Sequence, residues 1–422
     1  MGTWNDGLQY AALTDVGMRR RNNQDSHRVV LAPDEAAWRE RGHVFMVADG
    51  MGAHAAGELA SKLAVDNIPH LYLKHREVNP AVALDQAVRE TNAEVHRRGQ
   101  ANPDFHHMGT TTSVLVLLPV GALVAHIGDS RIYRLRGDHL EQLTFDHSLV
   151  WEVRREGNVP PGTDLERSLP KNVITRSLGP NPVVEADFEG PFPLEPGDTF
   201  LLCSDGLTGQ VPDAELAPIL KHLPPEEAVQ VLVDLANLRG GPDNITVIVA
   251  RVTGADSSTA QSFMTGARKP AREMHPAVWV AAGVLLLAAL SLLIVGLTAV
   301  ALGAGVAGLI TLGVGWLARF QGSDRGVLGG SLLGKGPHTS TPCSTPTDFI
   351  KKLDQMTSDL RQAGVEAGLD LSTFDGLCKS ASDASKTNQH DQAFRQYARA
   401  VSALMREFRR RRRGPGDSSV EL

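Results

Sequence analysis

Residues 1–254 alternate short apolar runs with longer stretches of helical spacing. The runs at 44–48, 123–127, 199–203 and 245–250 are short, rich in Val, Ile, Leu and Phe, and bounded by Gly, Asp, Ser or Asn. That pattern predicts short β-strands. Residues 255–275 turn small and polar, then basic, and read as a linker. Residues 276–318 contain no charged residue. One straight helix of that length would measure roughly 65 Å against about 30 Å of hydrocarbon. Two membrane-spanning helices near 276–295 and 301–318, with a turn between them, fit better. A single span with a re-entrant segment is the other reading.

A second linker, 319–346, precedes a helical region at 347–413. Phe349, Leu353, Met356 and Leu360 recur at helical steps, as do Phe394, Tyr397, Val401, Leu404 and Phe408. A small bundle is expected there, followed by a disordered tail at 414–422. Such a bundle is a natural site for a protein partner. Residues 409–413 are all arginine. They make either a solvated helix end or a contact with anionic lipid headgroups.

Basic residues flank the uncharged stretch: Arg268, Lys269 and Arg272 before it, and Arg319, Arg325 and Lys335 after it. The positive-inside rule then places both the N-terminal domain and the C-terminal helices on the cytoplasmic side of a multi-pass membrane protein. Residues 1–10 show no basic region followed by an apolar core, so no secretory signal is expected. The formal net charge of −6 argues against a nucleic-acid binder, because a phosphate backbone calls for a basic face. The cysteines, 3 in all, are scattered without metal-ligand spacing, which suits a reducing compartment. Cys203 lies inside an apolar run and is expected in the core.

Asp49, Asp129, Asp205 and Asp243 each sit where one of the predicted strands meets a loop. Any one Asp-Gly pair is more often a turn than a ligand. Strand ends of one sheet system can converge, however, and carboxylates are the ligands that hard divalent cations take. Two such ions about 3.5–4 Å apart can hold and orient one water for in-line attack on phosphorus. Arg19, Arg20 and Arg21 precede Asn22, Asn23, Gln24 and Asp25. The planar guanidinium fork matches phosphate oxygens.

These residues stand in a recognisable order: TDVGMRRRNNQD (14–25), VADGMGAHAAGE (47–58), MGTT (108–111), HIGDSRIY (126–133), LTFDHS (143–148), NVITRSLG (172–179), CSDGLT (203–208) and DNITV (243–247). In this order and spacing they resemble the protein phosphatase 2C family, and its bacterial branch most. The resemblance spans residues 8–252. It implies an α+β fold, with two antiparallel β-sheets in a central sandwich flanked by helices. It implies two Mn2+ or Mg2+ ions, with a third in this branch. Asp49 would bridge two metals and Gly50 would offer its carbonyl. Asp205 and Asp243 would complete the first site, and Asp129 would serve the third ion with Asp205. Arg20 would hold the substrate phosphate, and Asp25 would accept a hydrogen bond from water on the metal.

The implied activity is hydrolysis of phosphoserine and phosphothreonine in proteins, the products of a Ser/Thr kinase, by a metal-bridged water. The family's usual GMGGH reads Gly50-Met51-Gly52-Ala53-His54 here. His54 is then either a proton donor to the leaving alkoxide or a satisfied structural histidine, and His147 beside Asp146 is open in the same way. Residues 150–172 match the family's variable flap. Loss of metal ligands would have pointed to a non-enzymatic phosphoprotein binder instead, and all four aspartates are present.

Overall fold

The computed structural model describes residues 7–53, 55–155, 173–254, 333–343 and 346–413, with positions 157, 163, 169 and 170. His54, the linker at 255–275, the uncharged stretch 276–318, most of the flap and the tail 414–422 lie outside the described residues. Among the described residues no helix is long and apolar enough to cross a membrane.

Two antiparallel sheets form the centre. The first has the order β1 (Leu8–Asp15), β11 (Ile245–Val252), β10 (Thr199–Cys203), β7 (Arg131–Arg136), β8 (His139–Gln142) and β12 (Thr339–Pro342). The second has the order β2 (Asp25–Val30), β3 (His43–Met51), β5 (Thr112–Leu118), β6 (Gly121–Ile127) and β9 (Asp187–Phe192), with β4 (Gly109–Thr110) beside β3. This is the sandwich that the family resemblance implies.

The continuous apolar runs are explained by what covers each face. On β10, Phe200 and Leu202 enter the core between the sheets, while Leu201 and Cys203 enter the core beneath the helices. On β11, Ile248 and Ala250 face the first core and Val247 and Val249 the second. Successive side chains point to opposite sides, and both sides are buried. Phe45, Val47, Leu115 and Val124 complete the sandwich core from the second sheet.

Helices α2 (Ala56–Lys74) and α3 (Pro80–Ala101) cover the second sheet, and α6 (Asp213–His222) and α7 (Pro225–Leu238) cover the first. Local signals start them. Asn79 caps α3 through Val82 N at 3.0 Å, with Pro80 at its first position. Asp34 caps the short α1 (Glu35–Arg41) through Ala37 N at 2.8 Å. The flap begins as α4 (Leu149–Arg155), and a single turn, α5 (Asp205–Thr208), follows β10.

The C-terminal helices α8 (Pro346–Glu366), α9 (Ser372–Lys386) and α10 (His390–Arg413) pack on the catalytic domain. Ile350, Leu353, Phe394, Tyr397 and Val401 share one core with Leu216, Leu220 and Leu232 of α6 and α7. Each large side chain so buried contributes roughly 1.5–3 kcal/mol. Polar contacts fix the register: Tyr397 donates to Asp354 Oδ1 at 2.6 Å, and Lys352 pairs with Glu215 at 2.8 Å. The stretch expected as a second linker carries structure of its own. Thr339–Pro342 pairs with the edge strand β8, and Leu333 bridges Gly190 on β9. One segment thereby covers an edge of each sheet, where unpaired N–H and C=O groups would otherwise stand open. Glu189, buried, anchors it by accepting from Gly336 N at 2.7 Å and pairing with His338 Nε2 at 3.0 Å.

Candidate active site

The strand ends of both sheets converge on one set of carboxylates. Asp25 opens β2 and lies directly across the ladder from Asp49 on β3. Asp129 follows β6, Asp205 follows β10 as the first residue of α5, and Asp243 precedes β11. The sheets thus bring together all five aspartates named from the sequence.

The backbone around Asp49 is held from the MGTT segment. Asp49 N donates to Thr111 Oγ1 at 2.8 Å, and Asp49 O accepts from Thr111 N at 2.8 Å and Thr110 Oγ1 at 2.9 Å. Gly50 is bound to be glycine. A Cβ there would lie 2.0 Å from Gly57 O and 2.6 Å from Gln24 O, both backbone atoms. Gly128, before Asp129, has φ +109°, and its surroundings are fixed by histidines. His147 Nδ1 accepts from Gly128 N at 3.0 Å while its Nε2 donates to Asp187 at 3.1 Å. His147, buried and hydrogen-bonded through both ring nitrogens, is therefore a structural histidine.

Asp25 Oδ1, Asp129 Oδ1 and Asp205 Oδ1 are all buried, and none has a hydrogen-bond partner. Buried polar atoms are rarely left so, because each costs desolvation without return. The charges also oppose one another. Burial raises Asp25 most, the Ser204 hydrogen bond at 2.7 Å offsets part of that, and Asp205 and Asp243 add to it, so that its carboxyl is pushed up to about 7. Burial and then Asp205 push Asp129 up to about 8. Asp49 is driven well above the usual carboxylate range by burial and by Asp25, Asp205, Asp129 and Asp243. Among the described residues no three His, Cys, Asp or Glu side chains already close on a single point as a finished ligand set. The carboxylates share a mutual field and orphaned oxygens instead, the signature of groups that need cations between them. The donor set is all oxygen, which suits Mg2+ or Mn2+ over softer metals.

Arg20 is half exposed and donates to Asp243 Oδ2 at 2.7 Å. Its guanidinium has five donors, so one spent on Asp243 leaves others for a phosphate. Asn244, not singled out from the sequence, ties the Arg20 loop to the first sheet. Its Nδ2 donates to Val16 O and Asn22 O, each at 3.0 Å, and its Oδ1 accepts from Gln24 N at 2.8 Å. The only local signal was its place beside Asp243. Cys203 is buried on the helix side of β10, and burial pushes its thiol up, so it is no nucleophile.

Comparison with known proteins agrees with this geometry. The family model described as protein phosphatase 2C matches residues 19–236. The chain is similar to protein phosphatase PhpP of Streptococcus pneumoniae, 37% identical over 261 residues, covering 59% of this chain and 100% of that protein. It is also similar to the serine/threonine phosphatase stp of Listeria innocua, 37% identical over 242 residues, covering 56% of this chain and 92% of that protein. Among solved structures it resembles the Mycobacterium tuberculosis serine/threonine phosphatase PstP/Ppp, with TM-score 0.51 and 35% identity over 58% of this chain and 99% of that one. The S. agalactiae serine/threonine phosphatase gives TM-score 0.52 and 34% identity over 58% and 99%. With its sandwich, its converging aspartates and these relatives in agreement, the chain belongs to the protein phosphatase 2C family.

Proposed function

We propose that this chain is a metal-dependent protein serine/threonine phosphatase that hydrolyses phosphoserine and phosphothreonine in proteins phosphorylated by a Ser/Thr kinase, and that it is anchored in a membrane. The observation that carries the chemistry is the set of buried, unpartnered oxygens on Asp25, Asp129 and Asp205 at the ends of strands from both sheets. Asp49, the carbonyl of Gly50, Asp129, Asp205 and Asp243 would hold Mn2+ or Mg2+, two ions with room in the ligand set for a third. When bound, such ions supply Lewis acidity and lower the pKa of water, making it a nucleophile at neutral pH.

The chain's own residues do the rest. Arg20 binds phosphoryl oxygens with the donors not used on Asp243, and so counters the charge that builds there. Asp25 has one oxygen fixed by Ser204 and keeps the other to accept a hydrogen bond from the attacking water and orient it. No covalent phosphoenzyme is involved, and His54 is assigned no more than a candidate role as proton donor. The test is phosphate release by the full chain from phosphoserine and phosphothreonine peptides, with a phosphotyrosine peptide as control. Release that requires manganese or magnesium and stops in excess chelator is expected. Folded protein that releases none with either metal overturns the reading.

Membrane anchoring rests on composition alone. The uncharged stretch 276–318 with basic residues on both sides supports two spans and a cytoplasmic catalytic domain. Fractionation decides it: the full chain should stay with membranes through alkaline carbonate washing, and release by that wash contradicts it. The C-terminal helices use one face on the catalytic domain, which leaves their outward faces for a protein partner.

A further inference from the structure

The loop that carries Arg20 is held at both ends. Asn244 brackets it along its length, as described above. At its start stands Asp15, the last residue of β1. Asp15 Oδ1 accepts from Gly17 N at 2.8 Å and from Asn237 Nδ2 at 3.1 Å. Its Oδ2 accepts from Arg409 Nη2 at 2.9 Å, a residue on α10 at the far end of the chain. Arg409 also lies 3.4 Å from Asp234 Oδ1 on α7. Asp234 is only 1% exposed, and its other oxygen accepts from Gln230 at 2.8 Å. Two carboxylates of the catalytic domain thus face each other, and the cation between them comes from the C-terminal region. A buried carboxylate without such a partner is costly, and two near one another repel.

The connection to the site is short and stiff. Gly17 has φ +79°, and a Cβ on it would fall 2.1 Å from Asp243 O. Met18 N and Arg19 N donate to Gly241 O at 2.8 and 3.3 Å. A movement of Asp15 is therefore passed to the turn that bears Arg20 and to the turn that bears Asp243, with no slack between them.

We propose that Arg409 is a positioning residue of the phosphatase: by neutralising Asp15 and Asp234 together, it sets the loop that aims Arg20 at the substrate phosphate. The C-terminal helices then form part of the catalytic unit and are more than a tether or a recruiting arm. This inference rests on the phosphatase reading and on Arg20 as the phosphate-binding residue.

The experiment uses the full chain in detergent, a phosphothreonine peptide with manganese, and inorganic phosphate as inhibitor. Wild type is compared with Arg409→Ala, Arg409→Lys, and Arg409→Ala combined with Asp234→Asn. The double variant relieves the buried unpaired carboxylate and so protects the fold while leaving Asp15 without its cation. In Arg409→Ala and the double variant, KM and the phosphate inhibition constant should rise together by about 3- to 10-fold, with kcat changed less than about 2-fold. Arg409→Lys should recover most of the loss. Unchanged KM and phosphate inhibition in the double variant, with or without a lower melting temperature in the single one, overturns the positioning role. A wild type that releases no phosphate defeats the phosphatase reading, and this inference with it.

Discussion

Asp129→Asn should make the metal-free protein more stable and the metal-bound protein less so. Without metal, the Asp129 carboxyl is pushed from its ordinary 3.8 up to about 8 in the folded state, by burial first and then by Asp205 and Asp146. Between those two values the folded chain holds a proton that the unfolded chain has released. The folded state then binds more protons, so stability falls as pH rises through that window. At about pH 7.5 the penalty has a ceiling near 5 kcal/mol, at about 1.4 kcal/mol per unit. Local relaxation and counterions reduce it, and a gain of about 1–3 kcal/mol is expected for the neutral isostere. In a protein of this size that is roughly 2–10 °C in melting temperature. The assay is thermal unfolding of both proteins in excess chelator at several pH values, repeated in saturating manganese. Wild type should melt lower as pH rises from about 5 to 8 in chelator, and the variant should show a shallower slope. In manganese the order should reverse, because ligand binding stabilises wild type by mass action. A variant less stable than wild type in chelator near pH 7.5 would refute the reasoning that mutual repulsion of buried carboxylates is held in check by cations.

Gly50→Ala should lose about 100-fold or more in turnover and about 1–3 kcal/mol in stability, since the new methyl would meet the backbone oxygen of Gly57 at 2.0 Å; steady-state kinetics and urea unfolding test this. His43 is held neutral by burial, which lowers it to about 4, while the unfolded chain takes up its proton near 6.5. Stability is thus lost as pH falls through that window, by about 2 kcal/mol at pH 5, and His43→Gln should flatten the loss between about pH 7 and 5 in urea titrations. Phe394→Ala removes a buried ring from the core shared by α6, α7 and α10. It should cost about 3–5 kcal/mol and expose the C-terminal helices to limited proteolysis before the catalytic domain is cut.

Much of the site could be read from the sequence because its signals are local. An apolar run followed by Asp-Gly or Gly-Asp, as at Asp49, Asp129 and Asp205, or preceded by Asp-Asn, as at Asp243, marks a strand bordered by a carboxylate. The helical spacing of Phe394, Tyr397 and Val401 likewise marks one face of α10. What that face covers was not legible, since nothing local in α10 refers to Leu216 or Leu232. The pairing of Asp25 with Asp49 depends on strand register, and the Ser204 bond to Asp25 joins residues 179 apart. Arg409 is a sharper case: within an arginine run it looks like solvated surface, and its two acidic neighbours come from β1 and α7. The strand Thr339–Pro342 escaped notice because it is short and polar and ends in proline, the features of an edge strand and of a linker alike.

The central claim is that carboxylates from the ends of both sheets together hold the ions that make this chain a phosphatase. Its most direct test is manganese-dependent phosphate release from a phosphothreonine peptide by wild type, Asp49→Asn and Asp205→Ala, with calorimetric manganese titration of each protein. Tight manganese binding and turnover should both be present in wild type and both be lost in each variant, with the fold retained. Turnover at the wild-type rate in either variant would contradict the claim.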